Sequence, residues 1–164
     1  MKIELISDIK PSQIANFDCG TEELNFYLKR FAQKNNNLGI GRTFVLLNEL
    51  IVVGYYTVSM AQVEYESLDQ ESRRNLPRYP LPAMRIGRLA IDKNMQGQGL
   101  GEYLLMDSLE RCQRLLKEIA IFAIVVDAKN NQAKDFYIHY GFIPYSDRGL
   151  SLFLPITTVK RLLL

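Results

Sequence analysis

Hydrophobic positions recur along the chain with two periods, and these periods predict an alternation of strands and helices. Apolar residues at positions 24, 28 and 31 have helical spacing, and Asp18–Glu23 before them has the capping residues and acids typical of a helix start. Three asparagines at 35–37, followed by two glycines, are expected to end this helix. The other predicted helices are 68–75, 101–117, 132–140 and a short C-terminal one, and the predicted strands are 2–7, 43–47, 51–60, 83–91, 119–126, 142–145 and 150–154.

The order of these elements is β-α-β-β-β-α-β-α-β-β followed by the C-terminal helix. A tight polar turn at Asn48-Glu49 joins two strands into a hairpin, and prolines at 77, 80 and 82 are expected to prevent regular structure there. No internal repeat or linker interrupts the series. The pattern therefore predicts one mixed α/β domain spanning residues 1–164.

Composition restricts the class of protein further. The chain has 164 residues, 48% of them hydrophobic and 23% charged, which is ordinary for one globular domain with a real core. Its longest apolar run is far below the roughly 20 residues of a membrane helix, and its first ten residues are unlike a signal peptide. Cys19, Cys112 and the single histidine, His139, offer neither a disulfide framework nor metal-ligand spacing. We therefore expect a cytoplasmic protein that uses no metal and binds no membrane.

The segment 85–101, RIGRLAIDKNMQGQGLG, is the most informative stretch of the chain. Gly97, Gly99 and Gly101 place no Cβ between the main chain and a ligand, so backbone N–H groups can close around a phosphate. The spacing lacks the G-x-G-x-x-G register of dinucleotide-binding proteins, and no Gly-Lys-Ser/Thr follows as in nucleotide triphosphate sites. The loop therefore predicts a phosphorylated cofactor of another kind.

Two spaced motifs resemble those of the GCN5-related N-acetyltransferases, the GNAT superfamily. Gln96–Gly101 resembles its Q/R-x-x-G-x-G/A acetyl-CoA loop, and Asn130–Phe142 contains a second signature, N-x-x-A-x-x-F-Y-x-x-x-G-F. The segments 17–20, 87–93 and 127–130 further resemble the TacT/AtaT group, the acetyltransferase toxins of type II toxin–antitoxin modules. Members of that group acetylate the α-amine of aminoacyl-tRNA and so halt translation.

This resemblance implies a GNAT fold: a mixed central sheet of six to seven strands flanked by helices, in which two splayed parallel strands hold acetyl-CoA. It implies that Tyr137 is the general acid that protonates the departing thiolate, with Tyr140 as a rival. From the pattern alone Tyr137 would be a core aromatic, and Asn130 is equally well explained as a plain helix cap. The implied cofactor-binding residues are Leu89, Ala90, Ile91, Gln96, Gly97, Gln98, Gly99, Leu100, Gly101, Asn130 and Tyr137.

The acceptor side of the predicted site favours an amine of low pKa. The strand 85–91 carries no carboxylate to act as a general base; Asp92 lies past its end, and Glu64 on the neighbouring strand is the one obvious substitute. A lysine amine has a pKa of about 10.4 and needs a base, whereas an α-amine starts at about 7.7–8.0. An aminoacyl ester therefore suits this strand, although a water relay could also serve.

The net charge of +2 does not decide the partner, but the cations cluster before the glycine loop. From charge alone these cations could equally be scattered in solvent. Guanidinium groups suit phosphate, so we expect a basic face for the tRNA acceptor stem, although some of these cations could instead face a dimer partner or an acidic antitoxin. The predicted tRNA-binding residues are Lys34, Arg42, Arg73, Arg74, Arg78, Arg85 and Arg88.

The resemblance also implies a homodimer and a ribbon-helix-helix antitoxin. Two alternatives for the function stay open. One is a GNAT enzyme that acetylates a protein N-terminus or a small amine, such as a polyamine or an aminoglycoside. The other is a non-catalytic acyl-CoA-binding module that acts through protein contacts.

Overall fold

The computed structural model describes Met1–Leu164, and its seven strands form one mixed sheet in the order β1-β2-β3-β4-β5-β7-β6. The predicted α/β class and the predicted number of strands are confirmed. The strands are β1 (Lys2–Leu5), β2 (Arg42–Asn48), β3 (Ile51–Val63), β4 (Leu81–Ile91), β5 (Ala123–Asp127), β6 (Ile143–Pro144) and β7 (Ser151–Pro155). The helices are α1 (Pro11–Ile14), α2 (Glu22–Arg30), α3 (Ala32–Leu38), α4 (Gln70–Arg73), α5 (Leu100–Leu115), α6 (Asn131–His139) and α7 (Ile156–Leu162).

The chain divides into two compact units, each formed by two segments. Unit 1 comprises Met1–Ser59 and Ile86–Ser108, and unit 2 comprises Met60–Arg85 and Leu109–Leu164. None of the helices combines the length and the apolar character that crossing a membrane would require.

Unit 1 contains an antiparallel meander of β1, β2 and β3 packed against the N-terminal helices. The β2–β3 turn contains Glu49 at φ 57°, the left-handed conformation that two-residue hairpin loops require. Tyr55 is fully buried on β3, where its ring lies 5.7 Å from that of Phe17 and stacks 6.4 Å from that of Tyr27. Its hydroxyl donates to the carbonyl of Leu24 at 2.7 Å. Burial of these rings fixes α2 on the sheet.

Unit 2 is built on the antiparallel pairing of β5, β7 and β6. β5 is buried along four of its five residues, as predicted for a covered strand. Tyr145 and Phe153 pack at 5.9 Å in a core cluster with Val63 and Leu68. At the N-terminal end of β4, Pro82 accepts a hydrogen bond from the amide of Phe122 at 2.8 Å.

The prediction that the asparagines end the first helix is wrong. The helix is interrupted at Phe31, and residues 32–38 form a second helix, α3. This helix ends at Gly39, which has the left-handed conformation at φ 74°. Two of the asparagines are tied to other elements: Asn35 donates to the hydroxyl of Tyr27 at 3.3 Å, and Asn36 accepts from the amide of Thr43 at 3.4 Å. These contacts offset the weak helix propensity of asparagine.

Several predicted boundaries also move. β4 begins at Leu81 rather than at 83. Proline has no N–H to pair and is tolerated near the start of a strand, and the carbonyl of Pro82 is paired with the amide of Phe122. β5 begins at Ala123 rather than 119, and Ile119 is 45% exposed in the turn after α5. β1 ends at Leu5 in a 3-10 turn over Ile6–Asp8, and the predicted helix 68–75 shortens to α4.

Candidate functional site

The glycine loop of unit 1 leaves its main chain open to solvent. Gly97 and Gly99 have φ of 79° and 80°, and a Cβ built at either position would meet nothing within 4 Å. Only glycine adopts this conformation without strain. The loop therefore presents bare backbone on its exposed side, as a phosphate cradle requires.

The loop leads directly into α5, a helix of 16 residues. The first amides of a helix have no intrahelical partner, and the helix dipole places partial positive charge at this end. The amide of Tyr103 closes the first turn on the carbonyl of Gly99 at 3.1 Å. Gln96–Gly101 therefore has the arrangement of an anion-binding helix N-terminus, with Glu102 as the one acid in the first turn.

The side chain of Gln96 ties the loop to main-chain groups of two other segments. Its Nε2 donates to the carbonyl of Cys19 at 3.1 Å and to that of Ile91 at 2.9 Å. Because these bonds occupy the side-chain NH2 group, the main-chain amide is the N–H donor of Gln96 that remains for a ligand.

A second brace joins the connector after β4 to the segment before α2. The carboxylate of Asp92 accepts from the amide of Asn94 at 2.9 Å and from that of Asp18 at 3.1 Å. In return the amide of Lys93 donates to the carbonyl of Asp18 at 2.8 Å, and its ammonium group pairs with the Asp18 carboxylate at 2.9 Å. Sequence reasoning noted both segments without seeing that they meet, because 74 positions separate the two aspartates.

Asp18 is the centre of this brace. Its carboxylate also accepts from the amide of Gly20 at 2.9 Å and from the side-chain amide of Asn25 at 2.8 Å. The hydrogen bond from Lys93, followed by those from Gly20 and Asn25, lowers the pKa of Asp18 well below its usual range. The same hydrogen bond raises the pKa of Lys93.

The C-terminal end of β4 lies close to β3. Ala90 and Ile91 are buried and Leu89 is half-buried. A Cβ added to Gly54 would come within 2.8 Å of Ile91 Cδ1 and 3.1 Å of the Ala90 carbonyl oxygen, so this position requires glycine. The three residues predicted to pair with the cofactor are thus held on a tightly packed strand.

In unit 2, Asn130 caps α6. Its Oδ1 accepts from the amide of Ala133 at 2.9 Å, which confirms the capping interpretation of this residue. Its side-chain NH2 group makes no hydrogen bond within the protein and therefore remains a free donor.

Tyr137 is buried on α6, with 8% of its surface exposed. Its ring lies edge-on to those of Phe136 at 5.3 Å and Phe142 at 5.2 Å. Gly141 ends the helix at φ 97°, which turns the chain so that the amide of Phe142 donates to the carbonyl of Tyr137 at 3.2 Å. The Phe-Tyr-x-x-x-Gly-Phe pattern thus has a physical explanation: it closes one helix and fixes one phenol ring.

The hydroxyl of Tyr137 makes no hydrogen bond within the protein. Burial raises the pKa of this phenol above its ordinary value, so the group stays protonated through neutral and alkaline pH. A protonated hydroxyl without a partner inside the protein can donate a hydrogen bond to a reacting group.

The predicted RNA-binding cations of unit 1 lie around α2 and α3. Arg88 stacks on the ring of Tyr27, with its guanidinium carbon 3.5 Å from the ring centroid. Arg42 donates to the carbonyl of Asn36, and Lys34 is exposed on α3. None of these three cations is paired with a carboxylate.

The predicted cations of unit 2 are more strongly engaged within the protein. Arg85 pairs with Asp127 at 2.6 Å, which neutralises its charge. Arg73 donates to the carbonyls of Tyr65 and Glu66, at 3.2 and 2.6 Å. Arg74 and Arg78 are exposed, and Arg78 also lies over the Tyr65 ring.

Two further details bear on the chemistry. Glu64 lies one residue beyond β3 rather than on it, and it accepts from the side chain of Gln62 at 2.7 Å. No group of three or more His, Cys, Asp and Glu side chains is placed to hold a metal ion.

Comparison with known proteins identifies the family. The model of the acetyltransferase (GNAT) domain matches residues 41–160. The chain is 36% identical over 129 residues to a tRNA-acetylating toxin of Mycobacterium tuberculosis (strain ATCC 25618 / H37Rv), covering 79% of this chain and 77% of the relative.

Solved structures resemble the whole chain. A Tyr-to-Phe mutant of KacT is 33% identical, with a TM-score of 0.91 over 98% of both chains. AtaT complexed with acetyl-methionyl-tRNAfMet is 30% identical, with a TM-score of 0.90 over 99% of both chains. A Tyr-to-Phe mutant of AtaT bound to acetyl-CoA and the C-terminus of the antitoxin AtaR is 27% identical, with a TM-score of 0.79 over 98% of this chain and 96% of that one. The glycine loop, the capped α6 and these matches together show that this chain belongs to the GNAT acetyltransferase family and is an N-acetyltransferase.

Proposed function

We propose that this enzyme transfers the acetyl group of acetyl-CoA to the α-amine of aminoacyl-tRNA and thereby acts as a toxin that blocks translation. The observation that carries the proposal is the likeness of the whole chain to AtaT, which was solved with acetyl-methionyl-tRNAfMet, the product of such a transfer. The relative from M. tuberculosis, a tRNA-acetylating toxin, supports the same reaction.

The backbone of unit 1 offers two ways to hold acetyl-CoA. The main-chain amides of Gln96, Gly97, Gln98, Gly99, Leu100 and Gly101 would bind the pyrophosphate at the N-terminus of α5. The main chain of Leu89, Ala90 and Ile91 would pair with the extended pantetheine arm as an added strand would. The free side-chain NH2 group of Asn130, in unit 2, would donate to the pantetheine in addition to capping α6.

The reaction needs an electrophile, a free amine and a proton for sulfur. The amine nitrogen attacks the thioester carbonyl, the C–N bond forms, and the C–S bond breaks. The Tyr137 hydroxyl would donate its hydrogen bond to the departing sulfur as negative charge develops there. The proton given up by the amine restores the phenol, so the net result is an amide and a free thiol.

The raised pKa of Tyr137 fits a donor that is always protonated but weakly acidic. Such a group stabilises the thiolate by hydrogen bonding, and it completes the proton transfer only as the amine loses its own proton. No metal takes part in this scheme.

The lack of a base on β4 supports an acceptor amine that is already neutral. An aminoacyl α-amine has a pKa of at most about 7.7–8.0, so much of it is unprotonated near neutrality. We therefore expect the rate to rise with pH through that range and then level off. A rate that keeps rising toward pH 10 would indicate a lysine acceptor instead.

RNA phosphates would be bound by the exposed cations. Lys34, Arg42 and Arg88 of unit 1 carry uncompensated charge, as do Arg74 and Arg78 of unit 2. Arg73 and Arg85 belong to the predicted set but are already bonded inside the protein, so we expect smaller contributions from them.

The partners follow from the same likeness. AtaT was solved with the C-terminus of its antitoxin AtaR, and we propose that an antitoxin with a ribbon-helix-helix domain neutralises this chain. We further propose that the 164 residues act as one catalytic domain, that the enzyme is a homodimer, and that it works in the cytoplasm, where charged tRNA and acetyl-CoA are available.

The decisive experiment is incubation of the purified enzyme with radiolabelled acetyl-CoA and total charged tRNA, followed by mass spectrometry of the released aminoacyl groups. We expect label on the α-nitrogen of an aminoacyl ester and none on uncharged tRNA. Label that appears only on added peptides or small amines would overturn the proposed substrate. Binding of acetyl-CoA without any transfer would identify a non-catalytic module.

A further inference from the structure

We propose that Tyr27 is a positioning residue for RNA binding, because it holds the guanidinium group of Arg88 in one orientation before the RNA arrives. This inference rests on the proposed function and adds to it a residue that touches neither cofactor nor acceptor amine. Its basis is the stacking of Arg88 on the Tyr27 ring at 3.5 Å.

The stacked pair is fixed from the protein side. Tyr27 is 7% exposed, its ring is parallel to that of Tyr55 within 15°, and its hydroxyl accepts from Asn35 at 3.3 Å. A ring held on both its face and its hydroxyl end cannot turn to follow a mobile arginine. The arginine must therefore adopt the orientation that the ring imposes.

Stacking leaves the donors of the arginine available. The N–H groups of a guanidinium lie in its plane and point outward from its edge, so a ring beneath the plane blocks none of them. No carboxylate pairs with Arg88, and the side chain is half-exposed. Its charge is therefore open to an anionic ligand, in contrast with Arg85, which is paired with Asp127.

The same neighbourhood holds two more cations of the predicted set. Asn35, which bonds Tyr27, lies between Lys34 and Asn36, and the carbonyl of Asn36 accepts from Arg42. Tyr27 therefore connects the arginine of β4 to the helix that carries or contacts the other two cations of unit 1. Phosphate groups spaced along one RNA backbone are anions that several separate cations without carboxylate partners suit well.

The test compares Tyr27→Phe with Tyr27→Leu in acetylation of charged tRNA. The Phe variant keeps the ring and loses one hydrogen bond, so we expect its KM for aminoacyl-tRNA to stay within about twofold of the original. The Leu variant loses the ring, and we expect its KM to rise about fivefold to tenfold, with kcat and the KM for acetyl-CoA unchanged.

The salt dependence of the KM for aminoacyl-tRNA distinguishes loss of the Arg88 charge from a change in the orientation of its guanidinium group. Arg88→Met, which keeps an unbranched apolar chain over Tyr27, should raise the KM for aminoacyl-tRNA and reduce the slope of log KM against log salt by about one. Tyr27→Leu should raise KM and leave that slope unchanged, because the cation remains. Lys117→Gln, which removes an exposed charge outside the predicted set, is the control and should have little effect.

One further measurement keeps the inference falsifiable if Tyr27→Leu unfolds. In NMR of the unaltered enzyme, the Arg88 side-chain signal should show the ring-current shift of a stacked group and should move when uncharged tRNA is added.

Equal KM values for the Leu and Phe variants, or no response of Arg88 to tRNA, would overturn the positioning role. A rise in the KM for acetyl-CoA in place of that for tRNA would also overturn it. Failure of the unaltered enzyme to acetylate charged tRNA is a separate result, since it removes the proposed function itself.

Discussion

The glycine loop of unit 1 is braced by hydrogen bonds and an ion pair, whereas Tyr137 of unit 2 is fixed by aromatic packing. Behind the loop, side chains of Asp18, Asp92 and Gln96 bond main-chain groups. Around Tyr137, two phenylalanine rings and a left-handed glycine set the position of the phenol.

The difference matches the roles that we propose for the two regions. A cradle for a pyrophosphate needs its amides oriented, and polar side chains orient main-chain groups well. The proton donor that we propose at Tyr137 must be held in one position, and packed aromatic rings fix a side chain well. Changes to the loop should therefore affect cofactor binding, and changes around Tyr137 should affect the chemical step or the stability of the fold.

The largest effect is expected for Tyr137→Phe. Loss of the donor should lower kcat by about 10²–10⁴-fold, while the retained ring keeps its contacts with Phe136 and Phe142. Steady-state kinetics, with calorimetric titration of acetyl-CoA, should show slow turnover and normal binding. Tyr140→Phe is the matched control; if it is the slower variant, the donor has been assigned to the wrong tyrosine.

Gly141→Ala tests how far the packing around Tyr137 depends on the left-handed glycine that ends α6. Alanine in the left-handed conformation is strained, and its Cβ would lie 3.2 Å from Thr158 Cγ2, so we expect a loss of about 1–3 kcal/mol in the free energy of unfolding. Urea denaturation measures this. Gly39→Ala, at a left-handed position with open space around it, should cost less. An equal loss at both positions would show that the Thr158 contact contributes nothing.

Gln96→Met tests the hydrogen bonds that brace the glycine loop. It leaves the carbonyls of Cys19 and Ile91 without this donor, and we expect the Kd for acetyl-CoA to rise by about tenfold, equivalent to about 1.4 kcal/mol. Calorimetry measures the Kd, and kcat at saturating acetyl-CoA should be unchanged. Gln98→Met is the control, because the side chain of Gln98 makes no hydrogen bond in the protein. A similar weakening by both variants would contradict the brace.

The smallest effect is expected from the Asp18 carboxylate. Its pKa is lowered in the folded protein, so its contribution is fully present above its ordinary pKa of 3.8 and is lost as pH falls below that value. The difference in melting temperature between the original protein and Asp18→Asn should be constant from pH 5 to 8 and shrink in acid.

The exposed pair of Lys2 and Glu4 is the comparison for this prediction. Glu4→Gln removes an ion pair that has no part in the loop, and it should leave acetyl-CoA binding unchanged at neutral pH. An Asp18→Asn variant that binds acetyl-CoA as tightly as Glu4→Gln would show that the ion pair does not support the loop.

Local sequence signals predicted the parts of the molecule that depend on local structure. The glycine loop, the helix cap at Asn130 and the end of the predicted helix 132–140 all follow from residue types within a few positions. The order of the strands along the chain was predicted for the same reason, since each strand has its own apolar pattern.

The features that sequence reasoning missed depend on contacts between distant segments. α3 is helical because Asn35 and Asn36 bond Tyr27 and Thr43, and three asparagines alone give no sign of this. Likewise, no spacing rule connects Asp18 with Asp92. The pairing of Arg85 with Asp127 also crosses 42 positions, so its cancelled charge could not be read from composition.

The brace behind the loop has a consequence for how the enzyme can be shortened. The family match begins at residue 41, but Asp18 and Asn25 of the brace lie before it. A fragment starting there would retain every glycine of the cradle and lose the groups that orient it. We therefore expect the first forty residues to support acetyl-CoA binding through Asp18 and Asn25, although they lie outside the family match.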